Sequence, residues 1–287
     1  MDPTIARKTW RTLEPVHGMI YFAPDATEIY GRAGIDHHRT AYFASRSAAM
    51  GAVPAEVVIA TFFNFEPGLV RRSIPSAWTS ASPERILDAR LELADVSLRR
   101  AFGDALGSHE LAETTALARQ AAEAACEHPE GRPLFAGHAS LPWPDEPHLV
   151  LWHAQSLLRE YRGDGHVAAL VGEGLDGVEA LVTHAASGDV PSDVLRATRA
   201  WTQDAWDAAV DRLRSRGLVE HGSDVAFTDA GRALRQRIED LTDVRATRPY
   251  EAIGEDGCDR LRALGRDLSR RVVDAGLLRV DPSRYVD

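Results

Sequence analysis

Four of the chain's eleven histidines stand in contexts that suggest chemistry. His153 follows Trp152 within an apolar helical stripe, and His166 follows the charged stretch Arg162-Gly163-Asp164-Gly165. A carboxylate that fixes the tautomer of an imidazole equips it for general acid–base work or for binding a metal. His153 and His166 are therefore the candidate acid–base residues, with Asp164 as the orienting group. Asp164 has an alternative role, capping a helix that begins at His166. Arg159 and Arg162 are three residues apart and share a face if the helix persists, so their guanidinium groups suit an anionic or carbonyl-bearing ligand. His17 lies in a Glu-Pro-Val-His-Gly turn beside Tyr21, and Arg46 shares a helix with Tyr42. Asn64 interrupts the aromatic run Phe62-Phe63-Asn64-Phe65. A buried amide among aromatics needs partners, either a loop or a ligand. The candidate ligand-binding set is thus His17, Tyr21, Arg46, Asn64, Trp152, Arg159, Arg162 and His184. His17, His153, His166 and His184 are also candidates to converge on a metal ion or haem, although their spacing does not demand it. HExxH, GxSxG, the P-loop and GxGxxG are all absent.

These residues must be positioned mainly by helices. Ser82-Pro83-Glu84 is a strong helix start, in which serine caps, proline takes the first turn and an acid complements the dipole. That helix should end near Gly103, and another should run from Ser108 to Cys126. The run from Val57 to Phe63 has strand propensity, but Pro54 before it and helical neighbours favour a buried helix. Pro129, Pro133, Pro142, Pro144 and Pro147 break up residues 128–148. This segment reads as a Pro-rich linker between a helical N-terminal domain, 1–127, and a second domain, 149–287. Helices are expected over 149–161, from His166, over 176–186, 191–200 and 203–216, and over 256–275.

A chain of 287 residues with 44% hydrophobic and 26% charged residues is long enough for two folded domains. No apolar stretch is long enough to span a membrane, and the N-terminus lacks a signal-peptide pattern. The two cysteines, Cys126 and Cys258, are far apart and in no ligand spacing, which fits a cytoplasmic location. Lys8 is the only lysine, and the formal net charge is −10. A DNA-binding protein needs a local positive face to displace counterions, so that charge must be tested at the segment that would read DNA.

Residues 201–237 carry the clearest pattern. Thr202 caps an amphipathic helix that buries Trp206, Ala209, Val210 and Leu213, and Gly217 ends it. Leu218-Val219-Glu220 and Val225-Ala226-Phe227 read as short strands around a tight turn, and Thr228 caps the next helix. Helix, strand, turn, strand and helix is the order of a recognition helix and its wing. Leu213, Gly217-Leu218-Val219 and Phe227-Thr228-Asp229-Ala230-Gly231 resemble MarR-family regulators over roughly residues 150–245. Nearly the whole chain is similar to an actinobacterial helix-turn-helix family. The marks are Glu14-Pro15-Val16-His17, Phe62-Phe63-Asn64-Phe65, Leu151-Trp152-His153-Ala154 and the segment from Arg159 to His166. The resemblance implies an all-α fold with a small β-wing, a helical N-terminal domain plus a winged helix-turn-helix domain, and DNA binding.

The charges argue against that last implication. Asp204, Asp207 and Asp211 oppose Arg212, Arg214 and Arg216, and the helix N-terminus that would enter the groove offers only acids and Gln203. Arg196 and Arg199 add positive charge nearby, and a dimer would double it. The reading is a small-molecule-binding protein or enzyme with an interdomain pocket and DNA binding lost. A ligand-responsive regulator of MarR type is the alternative, and a His-ligated metal or haem enzyme the second. A homodimer is compatible with the apolar stripe of the last helix.

Overall fold

A computed structural model describes residues 1–222 and 224–278. Fifteen α-helices account for most of the described residues. The first eight are α1 (Pro3–Gly18), α2 (Ala26–Arg32), α3 (His38–Ser47), α4 (Ala55–Phe62), α5 (Pro67–Arg71), α6 (Ser76–Ser80), α7 (Pro83–Phe102) and α8 (His109–Cys126). They are followed by α9 (Pro133–Ala139), α10 (Pro147–Gly172), α11 (Gly177–Ala186), α12 (Ser192–Arg199), α13 (Gln203–Ser215), α14 (Asp229–Glu251) and α15 (Gly254–Asp274). Side-chain caps set many of the starts. Ser82, Ser108, Thr202 and Thr228 each accept the backbone N–H three residues on, and Asp176 and Glu179 form a reciprocal capping box. The apolar run after Pro54 is helical, as its proline and neighbours indicate.

Two hydrophobic cores divide the chain elsewhere than at residues 128–148. The larger gathers α1–α9, the first half of α10, the end of α14 and α15. The smaller holds the end of α10 with α11, α12, α13 and the start of α14. Leu134 and Phe135 of α9 are buried in the larger core, so the Pro-rich segment is packed structure. α15 buries Cys258, Leu261, Leu268 and Val272 in the same core, with Gly265 so close to α1 that a Cβ would stand 2.7 Å from Leu13 Cδ2. Its apolar stripe is therefore internal packing.

Three local expectations are corrected. First, α10 passes unbroken through Arg162-Gly163-Asp164-Gly165, so no helix begins at His166. Gly165 serves a close approach, because a Cβ there would lie 2.8 Å from Arg132 Nη1 and 3.3 Å from Arg245 Cβ. Second, α1 continues through Pro15 to Gly18, which puts His17 on a helix rather than in a turn. Third, no β-wing of two strands is seen among the described residues. A single antiparallel bridge joins Val219 and Phe227. Arg214 donates at 3.1 Å to the carbonyl of Glu220, which a longer ladder would have engaged, and at 2.6 Å to that of Gly222 in the turn. Gly231 is forced by contact with this turn, since a Cβ would collide with Leu218 O.

A candidate anion-binding cavity between two cores

α10 spans both cores, and a two-lobed cavity opens beside it where they meet. The lobes have volumes of about 460 and 680 Å³ and share Tyr42, Phe65, Arg159, His184 and Arg199. Both are of a size that holds small ligands, and junctions between packed units are frequent sites for them.

One wall is a buried charge network. Arg159 donates from Nε to Glu14 Oε1 at 3.0 Å and from Nη1 to Glu160 Oε1 at 2.9 Å. Arg46 donates to the Tyr42 hydroxyl at 2.8 Å, lies 3.7 Å from Glu160 Oε2, and sits 4.2 Å from the Phe62 ring centroid. Burial alone would raise the Glu160 pKa, but Arg159 and Arg46 outweigh it and hold the carboxyl at about 2. Both guanidinium groups are therefore compensated before any ligand arrives.

His17 continues the network inward. Ser156 donates its one hydroxyl proton to Trp152 O at 2.9 Å, so at 2.8 Å it must accept from His17 Nδ1. Burial pushes the His17 pKa well below its usual range, so the ring is neutral and Nε2 accepts from the Tyr21 hydroxyl at 2.9 Å. The same logic fixes His166. Thr242 donates to Ile238 O, so its oxygen accepts from His166 Nδ1 at 2.9 Å. Burial lowers the His166 pKa to about 4, leaving a neutral ring whose Nε2 has no hydrogen-bond partner among the described residues. His166 and His184 both line the cavity.

The opposite wall is strained. Asn64 N donates to Phe62 O at 2.6 Å, closing a γ-turn with Phe63 at φ 57° and ψ −52°. That conformation is rare for a residue with a side chain and tends to persist only where its surroundings enforce it. Here the start of α11 presses on it, and a Cβ at Gly177 would collide with Phe63 O. Asn64 O accepts from Trp201 Nε1 at 2.9 Å, and Glu66 N donates to Arg199 O at 3.0 Å. The Asn64 side chain lines the cavity and has no hydrogen-bond partner among the described residues.

Arg199, at the end of α12, differs from Arg46 and Arg159. It stacks 5.0 Å from the Phe65 ring centroid and donates to Thr198 Oγ1 at 3.0 Å. Its Nε is buried without an acceptor, and no carboxylate pairs with it among the described residues. Burial pulls its pKa down, the signature of a desolvated cation lacking a counter-charge.

Of the expected set, Tyr21, Arg46, Asn64, Arg159, Arg162, His166 and His184 line this cavity, and His17 supports it from behind. Arg162 is neutralised by Asp243 at 2.8 Å. Asp164 reaches no histidine. Its carboxylate accepts from Phe135 N at 2.9 Å and caps α9, and burial raises its pKa to about 6. His153 and Trp152 line a different pocket across α10, so His153 and His166 do not share a site. Among the described residues, no three His, Cys, Asp or Glu side chains are grouped to hold a metal ion. Glu160, Arg90 and His138 were not singled out from sequence. Arg90 lies on the same face of α7 as Ile86, Leu93 and Ala94, and a charge on an apolar stripe is the signal that marks it.

A helix-turn-helix family profile matches residues 6–279. The chain belongs to that family. No curated protein and no solved structure matches it. α12 and α13 are joined by a tight turn in which Ala200 adopts φ 61°. Every arginine on or just after α13 is engaged internally. Arg212 pairs with Asp176 at 2.7 Å and Glu179 at 3.0 Å, and Arg216 donates to Gly174 O at 3.0 Å. Arg214 holds the turn carbonyls, while Asp204, Asp207 and Asp211 are exposed.

Proposed function

We propose that this helix-turn-helix chain binds an anionic small molecule in the cavity between its two cores, and that α13 has lost DNA binding. The observation that carries the reading is Arg199, a half-buried cation without an acid partner that faces both lobes and whose Nε is buried without an acceptor. A carboxylate or phosphate placed there gains a charge-assisted hydrogen bond and relieves the desolvation of the cation. Arg46 and Arg159 keep their own acids and supply a stiff, positively edged wall. His166 is the acid–base candidate inside this cavity, its free Nε2 suited to accepting a proton from a bound ligand.

The family favours a second reading, a ligand-responsive DNA-binding regulator. Arg199 ends the first helix of the helix-turn-helix, so a ligand held there would act directly on that motif. Two measurements separate the readings. Thermal denaturation with citrate, phosphate and sugar phosphates should show saturable stabilisation by at least one anion, and Arg199→Gln should abolish it. Fluorescence anisotropy with DNA from upstream of the gene should show weak binding at every salt concentration. Tight binding that weakens steeply as salt rises would favour the regulator. Failure of all the anions to stabilise the protein would remove the cavity reading.

A further inference from the structure

A second pocket, of about 410 Å³, lies across α10 from the cavity and is walled chiefly by α7, α10 and the segment after α9. Its walls are apolar: Leu87 and Leu91 on one side, and Leu141, Pro142 and Trp143 on the other. Arg90 lies at its base and is only 2% exposed. One of its nitrogens, Nη1, has weak partners, Ser45 O at 3.3 Å and His138 Nε2 at 3.5 Å. Its Nε and Nη2 are buried and have no acceptor, and no carboxylate pairs with it among the described residues. Trp152 stacks on the guanidinium at 5.0 Å but accepts no hydrogen bond from it.

A buried guanidinium with two idle nitrogens is costly unless an acceptor arrives. Nε and Nη2 are adjacent donors on one edge of the plane, the geometry that receives both oxygens of a carboxylate side by side. Two further polar atoms of the lining lack partners, Trp152 Nε1 and His153 Nε2. His153 stands edge-on to Trp143 at 4.8 Å, and burial lowers its pKa to about 4, so it adds no charge at neutral pH. Glu84 and Asp88 also line the pocket, on exposed positions of α7. Their charge disfavours a second anionic group at that end of a ligand.

We propose that this pocket binds a small monocarboxylate with an apolar body, its carboxylate on the Arg90 guanidinium, which turns its buried Nε and Nη2 edge toward the pocket to receive it, and its body between Leu91 and Trp143. The site is independent of the interdomain cavity. It selects one negative charge and a hydrophobic tail, where the cavity sets several arginines and acids among aromatic rings.

The test titrates the full chain with benzoate, phenylacetate and octanoate, read by tryptophan fluorescence and by calorimetry. At least one acid should bind saturably, and benzamide, which lacks the charge, should not. Arg90→Gln should weaken binding about ten- to a hundredfold, the range for loss of a charge-assisted contact. Because Arg90 is buried and its replacement risks misfolding, Leu91→Trp provides a second variant. It fills the slot from a half-buried position and should abolish binding while thermal stability is kept. Absence of saturable binding by all three acids overturns the proposal. So does binding that survives both variants, or binding lost in Arg199→Gln but kept in Arg90→Gln, which would place the acid in the other cavity.

Discussion

The outer face of α13 and the inner walls of the two pockets handle arginine in opposite ways. On α13, Arg212, Arg214 and Arg216 are all tied to acids or carbonyls of their own domain, and the aspartates are left facing outward. Inside the molecule, Arg90 is buried and Arg199 half-buried, each with nitrogen that nothing accepts from. A protein built to grip a polyanion would do the reverse, leaving surface cations free and compensating buried ones. The arginines of α13 are thus engaged while those of the pockets keep donors idle, a contrast that suits a small anion in a pocket better than a duplex on α13.

The contrast can be attacked at several strengths. The largest effect should come from a buried arginine that does have its acid. Glu160→Gln leaves Arg159 and Arg46 undercompensated and should lower unfolding stability by about 3–5 kcal/mol in urea titrations. A loss below about 1 kcal/mol would show that the compensated wall is not held by this carboxylate.

Next is acidification. His138, His153 and His166 have folded pKa values of about 3, 4 and 4 against an ordinary 6.5, in each case chiefly through burial. The unfolded chain binds protons first, so stability is full above pH 6.5 and falls as pH drops toward 4. Asp164, raised to about 6, opposes this, because its ionisation costs stability as pH rises through that value. Each unit of separation is worth about 1.4 kcal/mol, so the net loss between pH 7 and 5 should be on the order of a few kcal/mol. A urea midpoint that is flat over that range would contradict neutral, buried imidazoles.

The smallest effect sharpens the comparison most. Arg199→Gln removes a charge with no acid partner and should change stability by less than about 1 kcal/mol, or raise it. Arg212→Ala breaks two ion pairs at the surface, to exposed Asp176 and to buried Glu179, and should cost about 1–2 kcal/mol. If Arg199→Gln proved the more damaging in thermal denaturation, Arg199 would be a structural cation rather than a waiting one.

Sequence revealed most where capping and periodicity are local. The starts of α7, α8, α11, α13 and α14 follow from Ser82, Ser108, Asp176, Thr202 and Thr228, because a cap is decided within four residues. It misled where a residue type has two uses. Glycines at 163 and 165 read as a turn, yet Gly165 is there to admit Arg132, a partner distant in sequence. Asp164 suggested either a histidine partner or the cap of a following helix, and it caps α9 instead. The wing was overestimated because Arg214 takes the Glu220 carbonyl that strand pairing would have used. Arg159 and Arg46 could be named as candidates, but not the tertiary pairs they make, since Glu14 meets Arg159 only through the packing of α1 on α10, and Glu160 meets Arg46 only because α3 packs there too.

The short stretch from Phe62 to Glu66 is pinned from three sides: by its own γ-turn, by the start of α11 against Phe63, and by the Trp201 and Arg199 backbone contacts. Its amides therefore work as a built-in gauge. The N–H groups of Asn64 and Glu66 sit in a loop, where deuterium would ordinarily replace hydrogen at once, yet Glu66 stays shielded only while the small core remains seated on the large one. Following that single proton over time would measure how often the two halves part, with no label added to either.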